Sequence, residues 1–243
     1  MPVMSPPTPP MSGAMSFIQS LAKAGVQVCF ANPGTTEMHL VGALDGTSIR
    51  PVLGLHETVC SGAADGYGRM TGRPAMVLLH LGPGLANSIA NLHNARRAGS
   101  PVVVVVGDMA ECHSDSDAPL CMDIAALSGT VSKLTLRTSS AAGLHLDAER
   151  AVKESLSFGG VMGSRVVTVV VPHNQQWEKV PSSIACSSAS SSGYRPSAAL
   201  ITNGVCKTAS APGAQMCPSN GCSSAPARPA PAPPASWPAP SPL

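Results

Sequence analysis

Residues 102–106 are five consecutive valines, and residues 166–171 read Val-Val-Thr-Val-Val-Val. A strand with one wet face alternates apolar and polar residues, so an unalternating run of this length is expected of a strand covered on both faces. Such strands belong to parallel sheets, whose crossover connections need helices. The rest of the chain follows the same rhythm. Apolar runs at 26–30, 50–55, 75–80 and 131–136 are separated by helical stretches at 12–24, 37–44, 57–70, 85–98, 123–127 and 147–158. Ser12 is placed to cap the first helix and Gly25 to end it. Six strands alternating with helices predict an α/β fold: three layers, a mainly parallel six-stranded sheet, and helices on both faces.

The alternation stops near Val180. Residues 182–243 contain 38 Ser, Ala or Pro in 62 positions, no Asp or Glu, and only Arg195, Lys207 and Arg228 as cations. A segment of that composition cannot bury enough apolar surface to offset its chain entropy. The expected organisation is a disordered start over residues 1–11, one α/β domain over 12–181, and a disordered Ser/Ala/Pro-rich tail over 182–243. The net charge of +2 comes from the tail and offers no basic face, which argues against nucleic acid as a partner. The longest apolar run is too short for a bilayer, and the start carries no cation before Lys23, so neither a membrane span nor a secretory signal is expected. The eight cysteines show no zinc-type spacing, which reads as reduced thiols in a cytoplasmic compartment.

In parallel sheets ligands bind beyond the carboxyl ends of the strands. The loops to inspect are therefore 31–36, 55–57, 80–84 and 108–122. Gly82-Pro-Gly-Leu-Ala-Asn87 follows a strand and opens a helix. It is half a dinucleotide fingerprint, or a turn whose backbone can approach a ligand closely. Glu57 begins a helix with little charge around it. It either complements the helix dipole or is a partly buried carboxyl suited to sharing a proton with a ligand nitrogen. His80 ends the third strand, where it is a structural histidine or a group facing the crevice. Thr35 and Thr36 stabilise a turn or touch a substrate. His113, Asp115 and Asp117 beside Cys112 are explained by loop polarity rather than by a metal site.

Four segments, in order, carry a resemblance. They are Phe30-Ala-Asn-Pro-Gly-Thr-Thr-Glu37; Gly54-Leu-His-Glu57 with Ala63-Ala-Asp-Gly-Tyr-Gly-Arg-Met-Thr-Gly-Arg-Pro74; Leu79-His-Leu-Gly-Pro-Gly-Leu-Ala-Asn87; and Ser100-Pro-Val-Val-Val-Val-Val-Gly-Asp108. Together they resemble the N-terminal, pyrimidine-binding domain of thiamine diphosphate-dependent enzymes. The nearest likeness is to acetolactate synthase large-subunit-like members, with benzoylformate decarboxylase close by. The resemblance implies that Glu57 hydrogen-bonds the aminopyrimidine ring of thiamine diphosphate and helps to activate the cofactor for attack on a 2-keto acid. It implies that Pro33, Gly34, Thr35, Gly82, Gly84 and Asn87 lie against the cofactor, with Thr35 near the substrate. It matches His80 to a histidine used for proton transfer in the decarboxylases, whereas Gly82-Pro-Gly84 leans towards synthase-like and acyl-CoA lyase-like members.

The family's diphosphate-binding domain carries Gly-Asp-Gly followed by Asn-Asn, which hold Mg²⁺. That motif is not found in the sequence, and Gly107-Asp-Met109 is not it. The expectation is therefore a truncated domain, inactive alone, that decarboxylates or ligates 2-keto acids only with a complementary domain. It would do so as a homo-oligomer or with a full-length relative. The alternative is a non-catalytic binding or regulatory module that pairs with such a relative.

Overall fold

The computed structural model describes residues 10–157 and 163–181. The expectations of a disordered tail over 182–243 and a disordered start over 1–9 lie outside the described residues, as does Phe158.

The first elements are β1 (Met11–Ser12), α1 (Gly13–Lys23), β2 (Val28–Asn32), a 3-10 turn (Thr35–Glu37), α2 (Met38–Leu44) and β3 (Arg50–Leu53). The centre of the chain adds α3 (Glu57–Thr71), β4 (Ala75–Leu79), α4 (Leu81–Ala98) and β5 (Val102–Asp108). There follow α5 (Ile124–Gly129), β6 (Leu134–Arg137), α6 (Leu144–Leu156), β7 (Val166–Pro172), α7 (His173–Trp177) and β8 (Lys179–Val180). Six of the strands form one parallel sheet in the order β3-β2-β4-β5-β7-β6. This is the three-layer α/β architecture with helices on both faces.

The valine runs explain themselves in this setting. Along β5, Val103 and Val105 join Met76, Leu78, Val167 and Val169 beneath α1, α2 and α6. Val102, Val104 and Val106 join Val77, Leu79 and Val166 beneath α3, α4 and α5. Every side chain of the run is buried, and alternate ones belong to opposite layers, so no polar residue has a place in it.

Helix α1 begins where Ser12 accepts a hydrogen bond from the Met15 amide at 3.2 Å. It buries Ala14, Phe17, Ile18 and Leu21, the i, i+3, i+4, i+7 stripe of an amphipathic helix. Gly25 takes φ +104°, the left-handed region open to glycine, and turns the chain into β2. Met11, assigned to a disordered start by composition, instead pairs with Val180 in an antiparallel two-strand ribbon with Ser12↔Lys179.

Two local boundaries differ from the sequence reading. Gly82-Pro-Gly84 is not a tight loop ahead of a helix: α4 already begins at Leu81, and the Gly84 amide bonds the His80 carbonyl at 2.9 Å. Pro83 is tolerated because amides of a first helical turn have no intrahelical acceptor. The turn itself is made by Leu81, a buried leucine at φ +52°. The strand expected over 131–136 starts only at Leu134, because residues 128–132 close a helical turn through Ser132 N to Ser128 O at 2.8 Å.

Topology locates the crevice. The chain leaves β2 towards β3 and leaves β4 towards β5, in opposite directions across the sheet. Helix α2 covers one face and α4 the other. The carboxyl ends of the adjacent strands β2 and β4 therefore form a switch point, where the loops diverge and leave an opening.

Candidate functional site

The loops after β2, β3 and β4 bring two carboxylates to that opening. Glu57 is the first residue of α3, and its side chain is 13% exposed. The amide of Asn87, on α4, donates to Oε2 at 3.0 Å. Among the described residues no group donates to Oε1, which faces Gly84 closely enough that a β-carbon there would stand 3.5 Å away. The two helices are tied together at the same place. Ser88 donates to the Glu57 carbonyl at 3.1 Å, Thr58 to the Asn87 carbonyl at 2.7 Å, and Asn91 to the Thr58 carbonyl at 2.7 Å. The small residues of the two helices permit this approach; Gly62, for instance, has the Asn91 amide against it.

The second carboxylate, Glu37, was read from sequence only as a helix start. It is fully buried. Its Oε2 accepts the Gly34 amide at 2.8 Å, its Oε1 accepts the Thr36 hydroxyl at 2.6 Å, and His80 Nδ1 lies 2.9 Å from Oε2. Thr36 Oγ1 is also 3.2 Å from His80 Nδ1, and the Thr36 carbonyl accepts from Gln176 at 2.8 Å. The His80 side chain keeps a quarter of its surface exposed. Gly34 packs on its ring so closely that a β-carbon would overlap it. A Glu three residues after the turn glycine is the capping-box spacing, and that was the available signal.

Of the residues singled out by sequence, Glu57, Gly84 and Asn87 form one group, and Gly34 and His80 form another. Gly82 packs under Met122 of the loop that follows β5, with no space for a β-carbon. Pro33 is half-buried beside Gly34. Thr35 is exposed and makes no side-chain hydrogen bond among the described residues; its neighbour Thr36 is the buried one.

The loop after β5 lines a cavity of ≈ 360 Å³ with Asp108, Ser114, Asp117, Cys121, Met122 and Arg137. Two of its lining residues form an ion pair, from Arg137 Nη1 to Asp108 Oδ2, 2.6 Å long. Farther along the rim, His173 stacks edge-on against Trp177 at 4.5 Å and against His39 at 5.5 Å. Burial and the neighbouring His39 hold the His173 imidazole below its ordinary pKa, against a smaller opposing pull from Glu37.

The parallel α/β sheet with its switch-point opening places the chain in the doubly wound α/β class. Residues 11–127 match the thiamine pyrophosphate enzyme N-terminal TPP binding domain, and this part of the chain is that family's N-terminal domain. It is 55% identical over 168 residues to the acetolactate synthase large subunit-like protein IlvX of Mycobacterium tuberculosis, covering 69% of this chain and 32% of that one. It is 27% identical to benzoylformate decarboxylase of Pseudomonas aeruginosa, over 68% of this chain and 30% of the relative. The fold matches the thiamine diphosphate-dependent 4-hydroxybenzoylformate decarboxylase of Rhodococcus jostii with a TM-score of 0.65 and 26% identity, over 72% of this chain and 33% of that one. The chain spans about a third of the length of each of these proteins.

Proposed function

We propose that this domain supplies the aminopyrimidine-binding half of a thiamine diphosphate site, in an assembly that decarboxylates or ligates 2-keto acids. The observation that carries the reading is the Glu57 carboxylate. One oxygen is fixed by Asn87, while the other is unengaged, little exposed and faces Gly84. An unengaged carboxylate oxygen in a partly dry site fits a basic ring nitrogen, with which it can share a proton.

When bound, the cofactor supplies the nucleophilic carbon and the electron sink for the 2-keto acid. The chain's own residues would do the following. Glu57 holds the proton on the ring nitrogen, and Asn87 fixes the rotamer that aims Oε1 at it. Gly84 leaves room for a flat group. Pro33, Gly34, Thr35 and Gly82 shape the surrounding rim, and His80 offers an imidazole at its edge. The diphosphate and Mg²⁺ are assigned to a domain other than this one. No group of three or more His, Cys, Asp or Glu among the described residues is placed to hold a metal.

Pairing with a second chain, either another copy or a full-length relative, is supported by the surface beside Glu57. Leu53, Leu55 and Val59 are 71%, 93% and 60% exposed there. A regulatory rather than catalytic pairing would use the same face. Among the described residues no helix is long and apolar enough to cross a membrane.

The test is calorimetric titration with thiamine diphosphate and Mg²⁺, for the chain alone and mixed with a full-length relative. Wild type is compared with Glu57→Ala and Glu57→Gln. Binding weakened about tenfold or more, the loss of one charge-assisted hydrogen bond, supports the assignment; affinity unchanged in both variants refutes it. The isolated chain is expected to leave pyruvate and benzoylformate unreacted.

A further inference from the structure

A carboxylate removed from water must be held by donors, and Glu37 has three: the Gly34 amide, the Thr36 hydroxyl and His80 Nδ1. The third donor decides the state of the histidine. Thr36 has one hydroxyl proton and gives it to Glu37 Oε1, so towards His80 its oxygen acts as an acceptor. Nδ1 therefore faces two acceptor oxygens, at 2.9 and 3.2 Å. A lone pair there would meet lone pairs on both, whereas a proton satisfies both. The neutral ring must then carry its proton on Nδ1 and its lone pair on Nε2. No described residue engages Nε2, which lies on the ring edge away from Glu37.

The surroundings hold this arrangement in place. Gly34 lies against the ring and Gly107 against Glu37 Oε1, each so closely that a β-carbon would overlap. Gln176, wholly buried, anchors Thr36 through its carbonyl.

We propose that Glu37 is a positioning residue for His80: it locks the imidazole with its proton on Nδ1, and so makes Nε2 the atom of the ring that accepts a proton in the crevice. The nature of the proton's partner rests on the function proposed above; the tautomer does not.

The experiment uses the full chain labelled with ¹⁵N at its seven histidines, without cofactor, at a pH where imidazole is neutral. The His80 resonances are assigned through His80→Asn. The expected result is a protonated Nδ1 and an unprotonated Nε2 in the wild type. In Glu37→Gln, whose amide can donate to Nδ1, that preference is lost. In Thr36→Val it is kept, because Glu37 remains. A wild-type proton on Nε2 overturns the proposal without any variant, as does an unchanged preference in folded Glu37→Gln, or a loss of preference in Thr36→Val. The readout is independent of cofactor binding. A failed titration would therefore sink the proposed function and leave this result standing, and a wrong tautomer would do the reverse.

Discussion

Gly107, near the end of β5, and Glu37, at the end of the 3-10 turn, touch across the opening, and a β-carbon on residue 107 would overlap the Glu37 carboxylate. Both groups are buried and the strand cannot shift without disturbing its neighbours. Gly107→Ala is therefore expected to cost about 1–3 kcal/mol as an overpacking change. A urea midpoint lowered at unchanged slope would show it.

The opposite outcome is expected at Gly66 in α3. Nothing lies within 4 Å of a β-carbon there, and its φ is not in the left-handed region. Gly66→Ala should stabilise the domain by about 0.5–1 kcal/mol by restricting the unfolded chain and favouring helix. Thermal unfolding of the two glycine variants side by side should give shifts of opposite sign.

Asp65 predicts an acid limb. Burial opposes its charge, but the hydrogen bonds from Arg69 and Ser100 and the Arg69 charge outweigh it and hold the carboxyl below the usual range. Arg69 donates through Nε and Nη2 at 2.8 and 2.7 Å, and Ser100 at 2.5 Å. A carboxyl with a lowered folded-state pKa contributes stability above its unfolded value, and that contribution is lost as pH falls through the folded one. Ser100→Ala should cost about 1.5–3 kcal/mol near neutrality, the loss of a hydrogen bond to a charged group. The difference should shrink below the usual carboxylate range. Urea midpoints of wild type and variant at neutral and acid pH would test this; a gap that widened on acidification would contradict it.

Thiol reactivity should divide along burial. The Cys29 thiol, on β2, is pushed up to about 12, by burial first and then by Cys60 nearby. Cys60 is also buried and raised, chiefly by burial. Cys112 is exposed in the loop after β5. An alkylating reagent at mildly alkaline pH should modify Cys112 early and leave Cys29 and Cys60 intact until denaturant is added. Peptide mapping by mass spectrometry reads the order.

The architecture was legible because its signal is repeated: runs such as Val102–Val106 have one physical reading, and six of them in alternation with helices leave little choice of topology. Glu57, Gly84, Asn87 and His80 were singled out through their motifs, and the fold places them near the opening. Glu37 was not, because a glutamate at a helix start is ordinarily solvated and favourable with the dipole, and only the fold brings β4 and β5 over it. The start of α4 was misread for a related reason. Turn chemistry is assigned to Gly and Pro, yet here Leu81 takes the left-handed conformation, which the buried surroundings of its side chain hold in place.

The ribbon between Met11–Ser12 and Lys179–Val180 has a mechanical meaning. The first and last described residues, near Met11 and Val180, lie side by side at one spot. The ribbon closes the described domain like a clasp. A pull on the two strands would open the clasp before it loaded the valine sheet, and the domain can be grafted or exchanged as a unit without rethreading its core.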